Sequence, residues 1–397
     1  MRARQRTVAK WLAVGATISM FVVLLSGVTV TDTGSGAGCG TSWPLCHGEF
    51  IPEFAWTTAI EYSHRAITSV ATLLIVAASV GALLFWRQRT EIRILVPLML
   101  LFLVLQAALG ALAVLYPSWW GSNGILALHF GISLIAFATT LLTATLIHQI
   151  ERGSDQLRDR TVPRGVALGA WALAAYTYGV VYLGAYVAHT DASLACLDWP
   201  LCQGSVFPGF TGPVGIVFSH RISALILTLG VIALAAWCWR QRATRPDLAW
   251  ASVVTVVTLL LQSAAGAVIV FTRLSLYSAL THSAIVTVYF GALAYICLNV
   301  LPRPLAARTA ETTSQPVNTP TNLPIGSAQR VEGGGIRIAE VRVDIVDRLV
   351  AQLEAHTSLY GPVPIGFRFA GKFDAAAPLP SLKMCSAGCA PARSRRG

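Results

Sequence analysis

Charge is scarce in this sequence. Only 12% of its 397 residues are Asp, Glu, Lys or Arg, against 55% hydrophobic, a balance that excludes an ordinary soluble protein of this size. Its apolar segments also lack interruptions, and several run for about 20 residues without a charge, enough to cross about 30 Å of hydrocarbon. Eight such segments lie at roughly 11–31, 62–86, 94–116, 124–147, 166–188, 215–239, 248–271 and 279–301. Core helices of a soluble protein could account for one or two of them, not for all. The expected fold class is an all-α polytopic membrane protein with eight transmembrane helices.

Lys and Arg are nearly absent from every second connection. They cluster instead at Arg2, Arg4, Arg6 and Lys10; at Arg87, Arg89 and Arg93; at Arg152, Arg158, Arg160 and Arg164; and at Arg240, Arg242 and Arg245. If the helices cross in turn, all of these fall on one side. The other connections hold only Arg273, with Arg65 and Arg221 placed just inside helices. This positive-inside pattern predicts cytoplasmic N- and C-termini in a multi-pass cell-membrane protein. The net charge of +11 thus follows the bilayer and does not call for a nucleic acid. A basic start precedes the first segment, as in a signal peptide, but the segment is long for one and no clear A-x-A site follows. An uncleaved helix is expected.

The chain repeats itself. Trp43-Pro44-Leu45-Cys46 matches Trp199-Pro200-Leu201-Cys202, Ser63-His64-Arg65 matches Ser219-His220-Arg221, and Gln106 and Gly110 match Gln262 and Gly266, all at one constant offset. Shared apolar composition yields chance matches of Leu and Ala, not of Trp, Cys, His and Arg in register. The membrane part is therefore two four-helix halves, 8–150 and 164–301. An even number of crossings per half makes the repeat parallel, about an axis along the membrane normal.

Cys39 and Cys46 fall in the loop after the first helix, and Cys196 and Cys202 in the loop after the fifth. Both loops lie on the non-cytoplasmic side, where disulfides persist. With two cysteines per loop, intraloop disulfides are expected, against the alternatives of free thiols or a metal site. Cys238 and Cys297 read as helix packing, and Cys385 and Cys389 as reduced thiols of a cytoplasmic tail.

Four histidines occupy apolar helices: His64 and His129 in the first half, His220 and His282 at matching places in the second. A histidine within the membrane is costly and normally faces the bundle interior, where it needs a partner. One alone could be a satisfied polar residue. Two pairs at matched depth in facing helices fit bis-histidine haem ligation. Zinc is disfavoured, because the helices offer no third and fourth ligand nearby. His47, His148, His189 and His356 lack this symmetry and read as loop or surface residues, His47 and His189 near the outer mouths.

The halves differ at one place. Glu61 stands three residues before His64, whereas Val217 stands three before His220. A glutamate there shares the histidine's helix face. One reading makes it a general acid/base at one haem site, the other site holding a permanent redox haem. The other makes it an interfacial carboxylate, paired with Arg65 or solvated.

Thr33-Gly34-Ser35-Gly36, then Cys39 and Trp43-Pro44-Leu45-Cys46, then Glu61-Tyr62-Ser63-His64-Arg65, partly repeated in the second half, resemble the haem A synthase family over about residues 8–301. The resemblance implies an oxidoreductase of terminal-oxidase biogenesis that converts a methyl substituent of haem O to the formyl group of haem A, with water supplying the oxygen. It implies that His64 and His129 hold the substrate haem, that His220 and His282 hold a haem b, that Glu61 is the catalytic carboxylate and that Cys39–Cys46 is a disulfide linked to activity. A haem O synthase as neighbour and an unidentified electron donor or acceptor would be the partners. One departure is visible: the second loop reads His189-Thr190-Asp191-Ala192 in place of Thr-Gly-Ser-Gly.

The tail, 302–397, lies outside the resemblance. Residues 302–335, rich in Pro, Thr, Ser and Gly, suggest a disordered linker. Ile336 to His356 suggest a short amphipathic helix, and Arg393 to Arg396 a contact with anionic lipid. The rival to the enzyme is a di-haem b electron-transfer cytochrome, in which both haems are permanent. A transporter, which parallel repeats alone would allow, is a weaker third.

Overall fold

The computed structural model describes residues 2–116, 122–303, 329–331 and 335–337. Eight long helices follow one another: α1 (Arg2–Asp32), α2 (Trp56–Trp86), α3 (Thr90–Leu115), α4 (Ser122–Arg152), α5 (Arg164–His189), α6 (Gly212–Arg240), α7 (Pro246–Phe271) and α8 (Leu276–Asn299). Each contains a stretch long and apolar enough to span a membrane. They coincide with the eight segments expected, but several run further, α1 through its basic start and α4 through His148 to Arg152. Hydropathy registers only the part that crosses hydrocarbon, whereas the backbone keeps its internal hydrogen bonds beyond it.

The side chains are sorted as lipid demands. Leu73, Leu84, Val104 and Leu229 are each more than 60% exposed on the outer surface, where water would not favour them. Ala16, Ala71, Ala78, Ser79, Thr139, Thr140 and Thr143 are buried between helices. Small residues let helices approach where lipid removes the hydrophobic incentive to associate. Buried hydroxyls turn onto their own helix, as Thr143 does in donating to the Thr139 carbonyl at 2.7 Å.

Within the N-terminal half α1 packs on α2 and α4, and α3 on α4; within the C-terminal half α5 packs on α6 and α8, and α7 on α8. Between the halves α4 meets α5 just as α8 meets α1, and α4 meets α8. That pattern maps onto itself when the halves are exchanged, as a parallel repeat requires.

A short 3-10 turn, Ser154–Asp159, links the halves at the basic end of the bundle. Its Arg158 donates to Glu91 of α3 at 2.9 Å and to the carbonyl of Leu301, after α8, at 3.0 Å. Asp155 accepts from Arg89 at 2.6 Å and from Arg303 at 3.3 Å, and Arg303 also binds Asp159. Arg245 donates to the carbonyls of Arg160 and Asn299 at 3.1 and 2.7 Å. Charges this deeply buried persist only when paired, and removing one partner of such a pair costs about 3–5 kcal/mol. The connection is thereby stapled to both halves.

The two loops at the opposite end share one design. Gly34 turns the chain out of α1 at φ +62°, with Ser35 N–H donating to the Val30 carbonyl; Asp191 does the same after α5 at φ +55°, with Ala192 N–H donating to Val187. Aspartate tolerates the left-handed region better than most residues. The lost Thr-Gly-Ser-Gly motif therefore leaves the turn in place.

Residues 1–313 and 314–397 are separate compact units. In the second, β1 (Gln329–Val331) pairs antiparallel with β2 (Gly335–Arg337). This corrects two expectations: strands interrupt the end of the disordered linker, and Ile336 and Arg337 begin no helix. Val331 and Ile336 have β-branched side chains, which favour extended backbone. The rest of the expected linker and helix, Cys385, Cys389 and Arg393 to Arg396 lie outside the described residues.

Candidate functional site

The four helical histidines form two pairs, one in each half. His64 on α2 and His129 on α4 are neighbours, as are His220 on α6 and His282 on α8. Each ring rests on a glycine of the preceding helix. A Cβ added at Gly27, Gly110, Gly184 or Gly266 would lie 3.3, 3.3, 2.7 and 3.4 Å from Cε1 of His64, His129, His220 and His282 respectively.

Hydrogen bonds fix two of the tautomers. Ser26 Oγ is 2.8 Å from Nδ1 of His64 and 2.9 Å from the Val23 carbonyl. A hydroxyl has one proton. With that proton on Val23, Nδ1–H of His64 donates to Ser26 and the Nε2 lone pair is left free. In the other half the Gln262 side-chain amide donates to Nε2 of His282 at 2.8 Å, so there too the lone pair is on Nε2. Nδ1 of His129, His220 and His282 is buried with no hydrogen-bond partner.

Glu61 is buried, and both its oxygens are engaged. Oε1 accepts from Arg65 at 2.6 Å and Oε2 from the backbone N–H of Cys39 at 2.8 Å. Arg65 also donates to the carbonyls of Ser42 and Leu45, both at 2.7 Å. The expected pairing with Arg65 is thus present, but inside the protein and not at a solvated interface. Arg221 binds its loop in the same way through the carbonyls of Asp198 and Leu201, and its second nitrogen turns to the Cys196 carbonyl, with Val217 in the place of Glu61. The disulfides Cys39–Cys46 and Cys196–Cys202 close these loops over α2 and α6.

The donor set, two imidazoles on apolar helices in each half, fits a haem: the Nε2 lone pair of His64 is free, and that of His282 would exchange its bond from Gln262 for the iron. A cavity of about 290 Å³ lined by Ala265, Thr272, Ser278 and Thr281 opens beside the His282 end of α7 and α8.

Several neighbours escaped the sequence reading. Ser26 and Gly27 carry no repeat signal, whereas the Gln106/Gln262 match did signal Gln262. Its twin behaves differently: Gln106 Oε1 is 3.0 Å from Ser133 Oγ, which is also 2.8 Å from the His129 carbonyl, and Gln106 Nε2 donates to Met20 Sδ at 4.0 Å. His189, read as a loop or surface residue near the outer mouth, is the last residue of α5. His47 binds the Gly38 carbonyl at 2.9 Å, and His148 is exposed on α4. Cys238 and Cys297 are buried free thiols, Cys297 donating to the Ala170 carbonyl at 3.5 Å.

Residues 9–294 match the sequence profile of the COX15-CtaA family, described as cytochrome oxidase assembly proteins. Among similar proteins, haem A synthase of Symbiobacterium thermophilum is 39% identical over 289 residues, covering 72% of this chain and 93% of that one. Haem A synthase of Halalkalibacterium halodurans is 40% identical over 285 residues, covering 71% and 93%. That of Bacillus pumilus is 39% identical over 294 residues, covering 72% and 93%. With the repeat, the two histidine pairs and the loop disulfides carried on one eight-helix bundle, the chain belongs to the haem A synthase family of cytochrome oxidase assembly proteins.

Proposed function

We propose that this protein is a haem A synthase, a multi-pass membrane oxidoreductase that converts a methyl group of haem O to the formyl group of haem A. The observation that carries the reading is an asymmetry within a repeat. Both halves hold a histidine pair, a loop disulfide and a loop-binding arginine, but Glu61 stands beside one pair only. Two permanent redox haems would not need that difference, and the names of the relatives favour the synthase over a di-haem cytochrome.

Turning a methyl into a formyl group takes the oxygen of one water and releases four protons and four electrons. His64 and His129 would hold the iron of the substrate haem. His220 and His282 hold a haem b, which when bound supplies one-electron redox chemistry. Ser26 fixes the His64 tautomer so that Nε2 faces the iron. Glu61 takes up protons released at the methyl carbon. A carboxylate has about four lone-pair sites, of which Arg65 and Cys39 use two, so it can accept from water or substrate without leaving its anchors. Arg65 keeps the group in place by holding the loop.

A haem O synthase supplies the substrate, and an electron acceptor, still to be identified, removes the electrons. By the positive-inside rule the termini are cytoplasmic and the disulfide loops lie outside. The test is to express the chain with a haem O synthase and chromatograph the extracted haems. Haem A accumulates if the proposal holds; haem b alone, with haem O unconverted, overturns it.

A further inference from the structure

We infer that Gly27, Gly110, Gly184 and Gly266 are positioning residues for the four histidine rings, and that Gly184 exerts the strictest control. The inference rests on the reading that those histidines ligate haem.

Glycines in this bundle serve different purposes, which the atoms facing them reveal. At Gly38 and Gly215 an added Cβ would strike backbone, of Thr57 and Phe210 respectively. At Gly81 it would meet the Cβ of Ala9 at 2.9 Å. Those glycines permit close approach of chain segments. At Gly27, Gly110, Gly184 and Gly266 the nearest atom is in every case Cε1 of a histidine on the next helix, so the space left by the missing side chain is filled by an imidazole. The pairing occurs four times, always from an odd-numbered helix to the even-numbered helix that follows. Helix packing alone has no reason to select the same ring atom each time.

Cε1 lies between the two ring nitrogens. Pressure on it tilts the ring and swings the Nε2 lone pair off its line. Three of the four rings have no hydrogen bond at Nδ1 to resist this; only His64 is held there, by Ser26. Of the other three, His282 is held at Nε2 by Gln262, and the glycine surface bears on that edge of His129 and His220. Axial-ligand orientation is one lever by which a protein sets haem properties. The distances grade the effect: 2.7 Å at Gly184 cannot be kept by a real Cβ, 3.3 Å at Gly27 and Gly110 is tight, and 3.4 Å at Gly266 is close to ordinary contact.

The test uses the purified full-length protein with its bound haem, read by low-spin EPR, the reduction midpoint and haem content per chain. Gly184→Ala should shift the EPR signal and the midpoint and lose part of the haem, and Gly266→Ala at the same site should shift them less. Gly81→Ala, which crowds α1 against α2 without touching a histidine, should lower thermal stability and leave the spectrum unchanged. An unchanged signal in Gly184→Ala, or an equal shift in Gly81→Ala, overturns the inference. If Gly184→Ala does not accumulate, Gly110→Ala loaded with haem O carries the test, and an unaltered substrate-haem spectrum there overturns it as well. His220→Ala separates the underlying reading: a variant that keeps its low-spin haem shows that His220 is no ligand, whatever the glycines do.

Discussion

The backbone N–H of Cys39 donates to Oε2 of Glu61 at 2.8 Å, so one end of the N-terminal disulfide is hydrogen-bonded to the carboxylate three residues from His64. The loop, the disulfide and the candidate catalytic group are therefore one mechanical unit. In the second half Val217 accepts nothing but packs against Cys196 and Cys202, and Arg221 supplies the hydrogen bonds to the loop over α6. The disulfide is common to both halves; its link to a carboxylate belongs to one.

Glu61→Gln retains the shape of the side chain and removes the ionisable group. An amide also cannot accept from Arg65 and Cys39 through both of its terminal atoms. Conversion of haem O should fall by about 10²-fold or more, the usual contribution of a positioned acid or base. Haem b content should stay near wild type, since the site beside Val217 does without a carboxylate. Undiminished haem A production would reduce Glu61 to a loop anchor.

Peptide mapping without reductant should recover Cys39 joined to Cys46 and Cys196 joined to Cys202. A peptide linking Cys39 to Cys202, or free thiols at all four positions, would contradict both the pairing and the placement of the loops on an oxidising side.

The histidine pairs should separate by exchange. A substrate haem enters, reacts and leaves, whereas a redox haem stays. His220→Ala or His282→Ala should remove the tightly bound haem b, and His64→Ala or His129→Ala should abolish conversion while leaving that haem's spectrum intact. Loss of haem b on mutating His64, with retention on mutating His220, would reverse the roles of the halves.

Ser26→Ala removes the acceptor of His64 Nδ1–H and leaves the ring free to turn. Outer partners of this kind are worth about 10–100-fold in metal affinity or activity. Titration with haem O should show binding weakened by at least about tenfold, with haem b unaffected. Equal affinity would mean that Gly27 and the helix packing alone hold the ring.

Asp198, in the second disulfide loop, accepts from the backbone N–H groups of Gly204 at 2.8 Å and Gln203 at 2.7 Å, and these bonds, that of Gly204 foremost, hold its carboxyl below the ordinary value. The folded value lies under the unfolded one, so its stabilising contribution is complete above about pH 3.9 and is lost as pH falls through the folded value. Hydrogen exchange at Gln203 and Gly204 should accelerate over that acid range, and Asp198→Asn should remove this pH dependence. A variant with the same acid acceleration would assign it to another group.

Much of the site could be read from the chain because it is written twice. Trp, Cys, His and Arg recurring in register exposed the two halves, the histidine pairs and the loop cysteines, and Glu61 and Arg65 are one helical turn apart and had to be neighbours. The surroundings of the rings were not readable in this way. Ser26 meets a histidine 38 residues further on, across a helix interface. Gln106 and Gln262 are repeat partners with different contacts, Met20 and Ser133 for one and His282 for the other. Arg158 finds Glu91 from a connection that the sequence marks only as basic.

The sequence by itself determined eight membrane-spanning helices, because a bilayer imposes length and polarity along a single coordinate. Only the tertiary structure decided the tautomers of His64 and His282, what rests against each ring and where Glu61 is anchored. Those depend on the rotation of each helix about its own axis, and segments that are apolar on nearly every face carry no periodic signal of it.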